Sequence, residues 1–160
     1  MPDEIARLYD RYAAGLYRYA LMMLADHASA EDAVQQVFSR LLSAKDARPL
    51  AMPDHYLRRA VRNECLTLFR RGGVRRTERN DARPLLEAVA GAVDHDERLL
   101  LEAALRELPV DQREVIALKV YEGLTFKEIA ELTDVPLNTV ASRYRYAIDK
   151  LRIALEAKVK

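Results

Sequence analysis

The stretch Leu124 to Leu151, LTFKEIAELTDVPLNTVASRYRYAIDKL, constrains the fold more than any other in the chain. Thr125 followed three residues later by Glu128 is a capping box. The hydroxyl satisfies an orphan backbone N–H and the carboxylate reaches back to the cap. Ile129 and Leu132, with Ala130 beside them, give a short helix one apolar face. Thr133-Asp134 ends it, because both side chains compete for backbone hydrogen bonds. Val135 precedes Pro136 and is biased away from helix, and Pro136 suits the first turn of a new one. Val140, Tyr144, Ala147, Ile148, Leu151 and Leu155 then recur at helical spacing. This is a helix-turn-helix, which lays its second helix in a DNA major groove.

The face opposite that stripe holds Asn138, Thr139, Ser142, Arg145, Tyr146 and Asp149, with Arg143 on a flank. Asn and Arg can read base edges, while Ser, Thr and Tyr can reach phosphates. Two packed surface helices with a solvated polar face would show the same stripe, but not the ordered cap, turn and proline.

The formal net charge of +1 hides a strong asymmetry. Between Arg48 and Arg76 eight arginines face Asp54 and Glu64, a surplus of six positive charges. Between Thr77 and Glu97 two arginines face six carboxylates, a surplus of four negative ones. From Arg143 to Lys160 six cations face Asp149 and Glu156, again a surplus of four. Two basic patches about an acidic connector suggest two nucleic-acid contacts, although either patch alone reads equally well as a soluble surface.

The 160 residues suffice for two small helical domains. One cysteine, Cys65, excludes an internal disulfide framework and a thiolate metal cluster, and reads as a small buried filler. His27, His55 and His95 lack ligand-like spacing, so no metal, cofactor or catalytic residue is expected. No apolar run approaches the roughly twenty residues of a membrane span, and the amphipathic N-terminus is no signal peptide. A cytoplasmic protein without membrane insertion is expected.

Three helices fill the first part. Ile5, Leu8, Tyr12, Leu16, Tyr19, Ala20 and Met23 share a face between Glu4 and Leu24. Ser29, with Asp32 at the box position, caps a second helix with a stripe of Val34, Val37, Phe38, Leu41 and Leu42. A third starts near Asp54, holds Tyr56, Leu57, Ala60, Val61, Leu66 and Phe69, and stops at Gly72-Gly73. Residues 75–96 read as a linker with about one helical turn. Helical signal resumes at Glu97, and Pro109 opens a further helix that Gly123 stops. The expectation is an all-α chain of two small domains: residues 1–73, with three or four helices, and 97–160, with the helix-turn-helix, joined by a linker over 74–96.

The two halves together resemble a bacterial sigma-70-type factor of the extracytoplasmic function group. SAEDAVQQVFSRLL is similar to the family's polymerase-binding helix, and YLRRAVRN to the run that meets the downstream, minus-ten promoter element. LRELPVDQREVIALKVYEGLTFKEIAELTDVPLNTVASRYRYAIDKLR follows the family's sigma-four domain closely. The resemblance implies a protein that docks on core RNA polymerase and gives it promoter recognition and melting, with no chemistry of its own. Asp32, Gln35, Gln36, Phe38 and Arg40 would present a polar face to the polymerase. Tyr56, Arg58, Arg59, Arg62 and Asn63 would meet the downstream element as duplex and melted strand, with Ala44 to Asp54 pocketing a flipped base. Tyr56 stands where the family usually has Trp and can stack on a base or pack in the core; Asn63 can be structural. Asn138, Thr139, Ser142, Arg143, Arg145 and Tyr146 would read the upstream, minus-thirty-five element. Gln36 replaces a usual Glu, and Ala141 a usual Lys or Arg. Many relatives have an anti-sigma partner, which the resemblance adds as a candidate. The alternative is a stand-alone helix-turn-helix regulator that binds operator DNA without polymerase.

Overall fold

A computed structural model of the chain describes residues 2–44, 50–72, 85 and 94–157. Among these residues all regular structure is helical. The chain divides into two compact units, Met1–Asp81 and Ala82–Lys160.

The first unit packs three helices against one another: α1 (Pro2–Leu24), α2 (His27–Ser43) and α3 (Pro53–Arg70). α1 and α2 form a hairpin with a two-residue joint. Ala25 takes a left-handed conformation (φ 54°), and its N–H donates to the Leu21 carbonyl at 2.7 Å. Asp26 is the cap of α2: its carboxylate accepts from the Ser29 N–H at 3.0 Å and the Ser29 hydroxyl at 2.5 Å. Ser29 is therefore not the cap. A carboxylate is the stronger acceptor at the positive end of a helix, and it starts the helix three residues earlier. His27, now inside the helix, is buried and shares a hydrogen bond with the Tyr17 hydroxyl.

The core takes Leu16, Tyr19, Ala20 and Met23 from α1 as expected, but also Leu21, Met22 and Leu24. The end of α1 is thus enclosed on all sides, which a one-face stripe does not anticipate. α2 supplies Ala30, Ala33, Val34, Val37 and Phe38; α3 supplies Leu57, Val61 and Cys65. Leu42, expected in the stripe, is 59% exposed at the end of α2, beyond its neighbours' reach.

The second unit is built about its last helix. α4 (His95–Glu107), α5 (Val110–Ile116) and α6 (Phe126–Thr133) all pack on α7 (Leu137–Glu156). α5 runs on into a π-helical turn, Ala117–Tyr121, before Gly123 reverses the chain at φ 69°. Leu85 belongs here. It is buried, and its N–H donates to the Glu102 Oε1 on α4 at 2.6 Å. Most of the expected linker lies outside the described residues.

Arg113 closes the C-terminal end of α4. It is 4% exposed, and its Nη1 donates to the carbonyls of Leu105 (3.4 Å), Arg106 (3.3 Å) and Leu108 (3.2 Å). These are groups that a helix end leaves without an intrahelical partner. Burial first, and then the charge of Arg106, lower the Arg113 pKa to about 10.

Candidate nucleic-acid interface

The helix-turn-helix forms as its sequence dictates. The Thr125 N–H donates to Glu128 Oε1 at 3.0 Å and the Glu128 N–H donates back to Thr125 Oγ1 at 3.1 Å. Asp134 ends α6 in the left-handed region at φ 58°, where a short polar side chain is tolerated. Pro136 is the cap of α7, one residue before the first helical position. Val140, Ala147 and Leu151 are buried, with Tyr144, Ile148 and Leu155 half-buried. The Tyr144 ring meets Phe126 of α6 edge-on, centroids 5.4 Å apart, and fixes α7 against α6.

On the outward side Asn138, Arg145 and Tyr146 are exposed, and Thr139 and Ser142 half-exposed. Asn138, Ser142 and Arg145 fall at i, i+4 and i+7 on one strip, with Tyr146 beside them. The Arg145 guanidinium lies 5.5 Å from the Tyr146 ring centroid, so the aromatic face holds the cation near the strip. Arg143 stands apart. Its Nε is 3.3 Å from Asp111 Oδ2 on α5, and its side chain is 25% exposed. It braces α7 as well as flanking the strip. Asp111 carries no sequence signal for this, because thirty-one intervening residues separate the partners.

On α3 the buried side holds Leu57, Val61, Glu64 and Cys65. Tyr56, Arg59 and Asn63, at i, i+3 and i+7, are all exposed. Of the two sequence readings of Tyr56, the structure gives the outward one, at 48% exposure. Arg58 and Arg62 are half-buried along the border of that face. Arg48, Arg75 and Arg76 of the basic patch lie outside the described residues, as do residues 45–49 of the Ala44–Asp54 loop.

α2 offers Asp32, Gln35, Gln36 and Arg40 on one exposed face, with Glu31 and Ser39. Phe38 is not on it. Phe38 is 4% exposed, and its ring meets Tyr9 of α1 edge-on at 5.1 Å. Hydrophobic burial wins over the surface role expected for it, so it supports the face from beneath. Arg40 donates from Nη1 to Glu64 Oε2 on α3 at 2.8 Å. Among the described residues no helix is long and apolar enough to cross a membrane.

Comparison with known proteins adds the following. Residues 8–75 match the family described as Sigma-70 region 2, and residues 98–151 match Sigma-70, region 4. The chain is 33% identical over 157 residues to the ECF RNA polymerase sigma factor SigL of Mycobacterium tuberculosis, covering 93% of this chain and 87% of that one. Its fold is similar to the sigma factor RpoE of Bartonella quintana, solved in complex with the anti-sigma factor NepR (TM-score 0.67, 24% identity, 97% of this chain and 96% of that one). It is also similar to CnrH, solved with the cytosolic domain of CnrY (TM-score 0.67, 24% identity, 98% and 90%).

Proposed function

Because this chain belongs to the extracytoplasmic function group of sigma-70-type RNA polymerase sigma factors, we propose that α2 seats it on core polymerase, α3 holds the downstream promoter element and α7 reads the upstream one. The observation that carries the assignment is the pair of outward strips, Tyr56–Arg59–Asn63 on α3 and Asn138–Ser142–Arg145 with Tyr146 on α7. Each joins a cation, an amide and an aromatic ring on one rigid helix, in a chain whose family uses two promoter contacts.

The two strips have different tasks. α7 meets duplex DNA, where Asn138 and Arg145 suit base edges and Thr139, Ser142 and Tyr146 suit the backbone. Arg143 serves the backbone from the flank. α3 meets DNA that has come apart. Arg58, Arg59 and Arg62 hold phosphates, which positions the strand and weakens with salt. Tyr56 stacks on an unpaired base, a contact available only after melting, and Asn63 bonds to the exposed strand. Such contacts repay the cost of unstacking, on the order of a few kcal/mol per flipped base. Asp32, Gln35, Gln36 and Arg40 make the polymerase surface.

We assign residues 1–73 to polymerase and downstream-element binding, 97–160 to upstream-element binding, and 74–96 to the connection. The factor acts in the cytoplasm and lends recognition to the enzyme without reacting itself. An anti-sigma partner, like that of the solved Bartonella quintana factor, would silence it. Runoff transcription with purified core polymerase on fragments of the source genome tests the assignment. Promoter-specific transcripts are expected, lost when Arg145 and Arg59 are both changed to Ala. Specific binding of DNA by the factor alone, with no transcripts in the presence of core enzyme, would point instead to a stand-alone regulator.

A further inference from the structure

We propose that the Arg40–Glu64 pair is a positioning strut that tightens when polymerase docks, so that seating α2 sets the promoter-facing helix α3. This rests on the assignment of the outward face of α2 to polymerase.

The pair is asymmetric. Its Nη1–Oε2 distance is 2.8 Å, but the Arg40 side chain is 63% exposed and that of Glu64 only 9%. Glu64 adjoins exposed Asn63, four residues before it lies Ala60, and it shares the buried side of α3 with Leu57 and Val61. A carboxylate in that position needs a partner, and among the described residues Arg40 is the side chain that supplies one. Arg40 in turn shares its face with Asp32 and Gln36, where the polymerase is assigned. In the free factor water surrounds the guanidinium and screens its end of the pair, so the attraction is below what the buried carboxylate could draw on. A protein surface laid over α2 removes that water. Attraction between the two charges rises as the effective dielectric constant falls, provided Arg40 keeps its bond to Glu64. The side chain of Glu64 projects from the helix that carries Tyr56, Arg59 and Asn63, so a stiffer bond at Glu64 holds that strip in place. The pair is thus the physical means by which docking on one helix bears on the next.

A double-mutant cycle on the full chain tests this. Affinity for core polymerase is measured for the unchanged factor, Arg40→Gln, Glu64→Gln and the double variant, beside the thermal stability of each free protein. Each single change is expected to weaken core binding roughly three- to tenfold, since half of a pair is left desolvated without its partner. The double variant should bind roughly fivefold better than the product of the single effects implies, a coupling of about 1 kcal/mol. At saturating core enzyme, Glu64→Gln should also weaken binding of a melted promoter strand, although Glu64 is too buried to touch DNA. A pair that only stabilises the fold would lower the melting temperature while its effects on core affinity simply multiplied; that result overturns the strut. Asp32→Ala with Gln36→Ala separates the two layers. A loss of core affinity there with no Arg40–Glu64 coupling sinks the strut alone. Unchanged affinity there removes polymerase from α2 and the strut with it.

Discussion

Replacing Arg113 should destabilise the second unit, and the amount can be worked from its surroundings. Three long bonds, at 3.2–3.4 Å, run from its guanidinium to the end of α4. Bonds from a charged donor contribute about 1.5–3 kcal/mol each, and Nη1 has two hydrogens to share among the three carbonyls, so about 4 kcal/mol together. Against this stands desolvation. The fall in pKa to about 10 corresponds to about 3 kcal/mol of lost preference for the charged form. The polar end therefore nets about 1 kcal/mol. The buried three-carbon stem adds about 2 kcal/mol of apolar contact. Arg113→Ala should thus cost about 3 kcal/mol, and Arg113→Met, which keeps most of the stem, about 1 kcal/mol. Urea denaturation of the full chain, with amide exchange in α4 and α5 as a local probe, measures both. A cost below about 0.5 kcal/mol for the alanine variant would refute the capping role. Equal costs for both variants would place the whole effect in the guanidinium and none in the stem. The sign of the pH dependence follows as well. A base whose folded pKa is depressed has its desolvation cost in full below about pH 10, and relief comes only above it. Arg113 therefore adds no slope to stability between about pH 6 and 9.

Three further outcomes are expected. Thr125→Ala removes the hydroxyl half of the capping box, leaving the Thr125 N–H bond to Glu128, and should cost about 1 kcal/mol of stability, read by denaturation, with upstream-element affinity falling in step; no change in either would mean that the turn is held by packing alone. Arg145→Ala should weaken upstream-element binding by about 1–3 kcal/mol and relax the preference at one base position, whereas a footprint identical to that of the unchanged factor would leave Arg145 a surface decoration. Arg59→Ala should lower open-complex formation and reduce the salt dependence of promoter binding by about one phosphate's worth, and an unaltered salt slope would remove it from the strand.

The parts of this fold that were legible in the sequence are those decided within four or five residues. The Thr125–Glu128 box, the break at Thr133-Asp134, the Gly72 stop and the helical stripes all depend on local chemistry, so spacing reveals them. The joint between α1 and α2 was misplaced by local reasoning for a specific reason. Ala25 occupies a left-handed position that usually belongs to glycine, and packing of the hairpin overrides its preference. Ser29 then looked like the cap, although Asp26 had the stronger acceptor. Phe38 and Tyr56 show the same limit from opposite sides. Both lie on apolar stripes; one turns into the core and the other out, because the stripe's width is set by which helices pack on it.

Arginine shows why the candidate site needed the structure. Counting cations gave two basic patches, treated their members alike and left Arg40 and Arg113 outside both. Arg113 proves to be a buried helix cap, Arg40 a bridge to Glu64, and Arg143 a brace to Asp111, while Arg59 and Arg145 stand exposed on their helices. The planar guanidinium serves all these purposes because it bonds carbonyls, carboxylates and phosphates with the same fork of donors. Partners distant in sequence decide among them: Asp111 and Arg143 are far apart in the chain, as are Arg40 and Glu64. An arginine already held by a buried or half-buried carboxylate must break or share that bond to hold a phosphate. Asp111→Asn puts this to the test at Arg143. Freed from its brace, Arg143 should bind DNA backbone more strongly and steepen the salt dependence of upstream-element binding. If the slope stays the same while α7 loosens, Arg143 is a brace alone and belongs to the fold rather than to the promoter contact.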